Sequence, residues 1–249
     1  MWITDIVVRS IPDSVYLKYM YRRIMGKKLD LKNPKTFNEK LQWLKLYDRK
    51  PEYTKMVDKY EVRKYIKEKI GEEYLIPLAG GPWDQFDDID FSKLPDQFVL
   101  KCTHDSGSVV ICRDKNDFDI GAIRKKFNRA LKGNFFYGGR EWPYKNVKPR
   151  IIAEQYMADE SGVELKDYKI FNFNGVPRII QVDYDRFVRH KRNLYNTDWQ
   201  YMDFAIKYET DPNITINKPA NLEEMLRMAQ AQLIRKSFFR KERLLEMAG

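Results

Sequence analysis

Phe98-Val-Leu-Lys-Cys-Thr-His-Asp-Ser-Gly-Ser-Val-Val-Ile-Cys-Arg113 is the stretch on which the reading of this chain turns. Two short apolar runs, Phe98–Cys102 and Val109–Arg113, flank a small polar loop from Thr103 to Ser108, the pattern of an antiparallel hairpin. Lys101 stands inside the first run on the same face as Val99, so its ammonium must snorkel to the strand edge or meet an anion. Gly107 lets the backbone come close to a ligand. N–H groups in such a turn can cradle phosphate oxygens while the lysine supplies point charge. An ordinary hairpin with an edge lysine fits the same residues, and the spacing is not that of a P-loop.

Upstream of the hairpin the texture is helical. A helix is expected from Asp13 or Ser14 through Ile24, stopping at Gly26, and Thr36 with Glu39 makes a capping-box pair before a second helix. A third helical stretch runs from Pro51 to Ile70 with a restart at Asp58; its Lys59, Arg63, Lys64 and Lys67 read as a solvated face. Pro77, Gly80, Gly81, Pro82 and Pro95 then punctuate a loop-rich passage, taken as a joint between lobes.

Downstream, Asp119–Gly133 reads as a basic helix, and Arg150–Met157 and Asp167–Phe173 read as strands. Asn174-Gly175 is a strong hairpin turn with Pro177–Asp183 as the return strand. Asn221–Gly249 has the pattern of a single amphipathic helix. Helices and antiparallel strands in this order give an α+β fold. The expected divisions are a helical N-terminal region (1–75), a small lobe carrying the hairpin (76–150), a second lobe (151–228) and a basic tail (229–249).

Glu154 interrupts an apolar strand, which calls for pairing with a nearby lysine or for a linker strand whose backbone meets a purine edge. Asp167 and Lys169 share a face with Phe171 and Phe173. Arg186, Arg189, His190, Lys191 and Arg192 form either an anion clamp or a solvated basic loop. Cys102 and Cys112 read as buried thiols, and His104 could touch a phosphate or move a proton. No Ser-His-Asp or Cys-His arrangement is legible.

The whole chain has 249 residues, with 46 Lys plus Arg against 36 Asp plus Glu, a net charge of +10 that favours anionic partners. Two cysteines exclude a disulfide framework, and two histidines leave little for a His-rich metal centre. No run approaches a spanning helix, and Met1–Ser10 does not read as a signal peptide. The expected setting is cytoplasmic, at most peripheral to the inner face of a membrane.

Several motifs occur in a specific order. Asn33-Pro-Lys-Thr-Phe-Asn-Glu-Lys-Leu-Gln-Trp-Leu44 is followed by Asp58-Lys59, the hairpin, and Trp142-Pro-Tyr-Lys-Asn-Val-Lys-Pro-Arg-Ile-Ile-Ala-Glu154. Asp167-Tyr-Lys-Ile-Phe-Asn-Phe-Asn-Gly175 and His190-Lys-Arg-Asn-Leu-Tyr195 complete the series. From about Leu17 to Met228 this resembles the TupA-like ATP-grasp family of teichuronopeptide and other cell-surface polysaccharide biosynthesis, whose members often carry a glycosyltransferase label.

The resemblance implies two α+β lobes gripping ATP. Lys59 and Lys101 would hold phosphates, and the loop with Thr103, His104, Ser106, Gly107 and Ser108 would cover them. Gln155 and Tyr156, following Glu154, would meet adenine through their backbone; Asp167 and Lys169 would line the same cleft, and Arg186 would face the phosphates. It further implies Mg²⁺, an acylphosphate ligase reaction on a carboxylate-bearing sugar or peptide acceptor, and no nucleic-acid partner. The family's acidic Mg²⁺ strands find no counterpart after Met228, so the metal ligands stay unassigned and the second lobe is expected to be incomplete. A nucleotide-sugar glycosyltransferase is the alternative, with Asp183-Tyr-Asp185 as its one compact metal motif. A nucleic-acid or anionic-surface binder is a third reading.

Overall fold

The computed structural model describes residues 8–158, 166–185 and 189–234. The first elements are α1 (Asp13–Met25), α2 (Phe37–Tyr47), α3 (Pro51–Val57) and α4 (Glu61–Lys69). α1 stops where Gly26 turns left-handed at φ 67°, a conformation that carries no Cβ penalty for glycine. Its N-cap is Pro12, with Asp13 the first helical residue. α2 begins with the expected capping box: Thr36 accepts from the Glu39 N–H, and the Glu39 carboxylate accepts from the Thr36 N–H at 2.9 Å. The restart at Asp58 is a full break between α3 and α4. The Asp58 carboxylate accepts from the N–H groups of Tyr60 (2.8 Å) and Glu61 (3.2 Å), nucleating the new helix.

β1 (Leu78–Trp83), β2 (Phe98–Cys102), β3 (Val109–Cys112) and β4 (Ile151–Gln155) form one antiparallel sheet in the order β1-β4-β2-β3. α5 (Ile120–Leu131), started by the Asp119 side chain, precedes the one-turn α6 (Phe136–Gly139). Because strand side chains alternate, Phe98, Leu100 and Cys102 point to one face and Val99 and Lys101 to the other. The first face packs with Cys112, Phe127 of α5, Ile151 and Ala153 into the main core. Loop-rich residues 75–95 do not act as a joint: β1 pairs with β4 there, and Phe86, Ile89 and Leu94 seal the same core. The chain divides after Tyr156 rather than at residue 75 or 150, because β4 completes the first sheet.

The second unit is a three-stranded meander of β5 (Asp167–Phe173), β6 (Val176–Tyr184) and β7 (Lys191–Tyr195). Asn174 and Gly175 have φ of 52° and 79°, the paired positive values of a tight hairpin turn. Ile180, Val182 and Tyr195 of this sheet pack with Leu222 and Leu226 of α7 (Leu222–Ile234). The rest of the expected C-terminal helix lies outside the described residues. Mixed helices and antiparallel sheets make the fold α+β, as expected. No helix among the described residues is long and apolar enough to cross a membrane.

Candidate functional site

Position in the sheet explains why a lysine and a glutamate can sit inside apolar strands. β2 is central, pairing with β3 and β4, and its register places Val99 opposite Glu154 and Lys101 opposite Ile152. Lys101 and Glu154 are thus diagonal neighbours on the face away from α5, close enough for long side chains to meet. They form an ion pair, and Arg63 Nη1 of α4 lies 3.7 Å from the other carboxylate oxygen. Glu154 is buried. A buried carboxylate is tolerated when cations compensate it, and here two do.

Lys59 joins the same end of the sheet. Its N–H is bonded to Thr103 O at 3.1 Å, and its ammonium donates to the carbonyls of Cys102 (2.7 Å) and Asp105. Burial pushes the Lys59 ammonium below its ordinary value, partly offset by Asp105. Asp58, the residue before it, is buried and bound by Arg150 Nη2 at 2.8 Å, which also reaches Glu61 at 2.8 Å. The Asp58-Lys59 pair therefore clamps two ends: the acid ties α4 to the start of β4, and the lysine ties it to the loop. Reading Lys59 and Arg63 as solvated misses this, because helix periodicity says nothing about which sheet edge the helix meets. Lys64 and Lys67 are exposed as expected.

The loop side chains are mostly spoken for. Thr103 Oγ1 donates to Lys148 O at 3.3 Å, Ser108 Oγ donates to Asp105, and His104 Nε2 lies 3.1 Å from Ala130 O on α5. His104 therefore sits toward α5, away from Lys101, which removes it from direct company with the two lysines. Ser106 and Gly107 are exposed, and Gly107 at φ 140° adopts a backbone conformation open chiefly to glycine. What this loop offers an anion is backbone N–H and the exposed Ser106 hydroxyl, the Thr103 and Ser108 hydroxyls and the His104 imidazole being engaged.

Gln155 and Tyr156 line an open groove of 980 Å³ with Pro77, Leu78, Gln97 and Arg113. The Gln155 N–H is already given to Pro77 O at 2.9 Å, so it is not free for a purine edge. Lys59 and Lys101 line neither this groove nor the second cavity, beside α5.

In the second unit, Asp167, Asp183 and Arg192 stand opposite one another on three adjacent strands, a polar row the sequence periodicity hides. Asp183 accepts from Arg192 Nε at 2.6 Å and Nη2 at 3.1 Å, from Lys169 at 2.8 Å and from Gln181 at 2.9 Å. His190 Nε2 lies 3.1 Å away, near enough for charge attraction when protonated but out of hydrogen-bond alignment. Burial alone would raise the Asp183 carboxyl, yet the hydrogen bonds from Arg192, Lys169 and the other neighbours outweigh it and hold the group far below the usual carboxylate range. Lys169 also pairs with Asp167.

The basic run after β6 is accordingly not an open anion clamp. Arg189 pairs with Glu209 at 2.9 Å, Lys191 with Asp211, and Arg192 with Asp183. Arg186 lies outside the described residues. Asp183 as one half of a metal motif is likewise corrected: its oxygens are filled by cations. Among the described residues no three His, Cys, Asp or Glu side chains group to hold a metal. Cys102 and Cys112 are free buried thiols, as read from the sequence, and burial pushes Cys102 up to about 12.

A family model described as TupA-like ATPgrasp matches residues 39–244. The match starts later than the motif series and runs past Met228, bringing residues 229–244 inside the family pattern. No curated protein and no solved structure matches the chain.

Proposed function

This chain belongs to the TupA-like ATP-grasp family, and from that premise we propose that it is an ATP-dependent carboxylate–amine ligase of cell-surface polysaccharide biosynthesis. The observation that carries the reading is the ion pair of Lys101 with buried Glu154 beside Lys59, on the face of the sheet opposite α5. An ammonium has three donors. Lys101 keeps donors beyond those used on Glu154, and Lys59 fixes the two loop carbonyls that set the loop's backbone in place. A polyphosphate on this face would meet cations and N–H groups already oriented, which is how phosphoryl transfer is stabilised. The Gln155 carbonyl and Tyr156, at the end of β4 on the wall of the open groove, would meet adenine.

In such a ligase the acceptor's carboxylate oxygen attacks the γ-phosphorus of ATP and ADP leaves. The amine then attacks the acyl carbon, phosphate departs, and the amine's proton goes to solvent or to a base. Mg²⁺ accompanying the nucleotide would neutralise charge on the transferring phosphoryl group. The carboxylates that would hold it are not assigned.

The test is ATP binding by calorimetry, with and without Mg²⁺. Wild-type protein binds, and Lys101→Ala, which also leaves Glu154 without its nearest cation, binds at least about tenfold more weakly. Lys101→Arg retains part of the affinity and controls for folding. A Lys101→Ala variant that is folded and binds ATP like the parent sinks the assignment. Turnover of a UDP-sugar without ATP would favour the glycosyltransferase reading, against which the saturated Asp183 stands.

A further inference from the structure

The hairpin loop has a second side. Beside α5, opposite the Lys101 face of the sheet, lies a cavity of 480 Å³. Its inner part is formed by buried His104 and half-buried Asp105, and its exposed part by Lys126, Arg129 and Phe135.

His104 is only 2% exposed. Its Nε2 faces the Ala130 carbonyl, which can only accept, so Nε2 carries the hydrogen and Nδ1 of the neutral ring is an acceptor. That Nδ1 is buried with no partner. Asp105 repeats the situation: Oδ2 takes the Ser108 hydroxyl, while Oδ1 is buried and unpartnered. A buried acceptor left unmet is costly, so the pair calls for a group with several donors and positive charge. On the exposed side Arg129 has no partner among the described residues, and Lys126 gives one N–H to Val109 O at 2.8 Å. Two cations there disfavour a bare metal ion and favour an anionic group.

We propose that this cavity binds a small zwitterion of α-amino-acid type, its ammonium received by His104 Nδ1 and Asp105 Oδ1 and its carboxylate by Arg129 and Lys126. The side chain of such a ligand would lie along Phe135. The ligand would bear on the loop from the side opposite Lys59, whose ammonium holds the Asp105 carbonyl.

The site is tested without nucleotide, so the outcome is independent of the ATP reading. Each of the twenty common L-amino acids is titrated singly against the full chain, with saturation-transfer NMR as the readout. At least one is expected to bind, and its affinity is expected to fall at least about tenfold in both Arg129→Ala and Asp105→Asn. Arg129 is exposed, so its replacement leaves the fold intact, as an unchanged melting curve verifies. Binding of the deaminated analogue is expected to be lost in wild-type protein. Failure of all twenty to bind, or binding indifferent to both substitutions, overturns the proposal.

Discussion

Replacing Asp183 by Asn tests the polar row of the second sheet. The side chain is 2% exposed and meets Arg192 through two hydrogen bonds, with Lys169 and Gln181 on the same oxygen pair. The amide keeps the volume and one acceptor but removes the charge, leaving Arg192, itself nearly buried, with Ile206 O as its remaining strong acceptor. Removing one partner of a buried pair costs about 3–5 kcal/mol, and the residual amide acceptor puts the expected loss near the lower end. For a chain of this size that is roughly 6–12 °C in melting temperature.

Acid supplies a second readout. The folded-state carboxyl is depressed, so its contribution is fully present above the unfolded value of 3.8 and is lost as pH falls below it towards the folded value. The stability gap between wild type and Asp183→Asn, measured by urea titration, is therefore wide at pH 7 and narrows below pH 3.8. A gap under about 1 kcal/mol at pH 7, or one that stays constant into acid, would refute the reasoning.

Two further outcomes follow from the first core. Phe127→Ala removes a fully buried ring packed among Phe86, Phe98 and Cys102, and is expected to cost about 3–5 kcal/mol by urea titration. Cys102, buried and held up to about 12, is expected to stay unreactive to a thiol reagent at neutral pH in the folded protein and to react once urea unfolds it. Labelling of native Cys102 as fast as that of the unfolded chain would contradict its place in the core.

Where the local code is strong, the sequence was enough. Thr36 with Glu39, the stop at Gly26, the break at Asp58 and the Asn174-Gly175 turn each rest on chemistry contained within a few residues, and each stands in the structure. Strand alternation alone also put Lys101 on the face opposite Leu100 and marked Glu154 as an acid needing a cation. Family membership was legible too, because motif order survives in the chain without any knowledge of contacts.

Partner identity was decided by tertiary structure. That Glu154 pairs with Lys101, and that Arg63 joins them, follows from a register between strands some fifty residues apart, a spacing periodicity cannot see. The same holds for Arg150 on Asp58, and for the alignment of Asp167, Asp183 and Arg192 across three strands, which turned a basic run that looked open to anions into a set of closed ion pairs. β1 was hidden because its glycines and prolines mimic a linker, and only pairing with β4 makes those residues a strand. A sequence fixes what each residue can offer over a turn or a strand; the folded chain fixes which offers are taken up by its own atoms and which remain for a ligand.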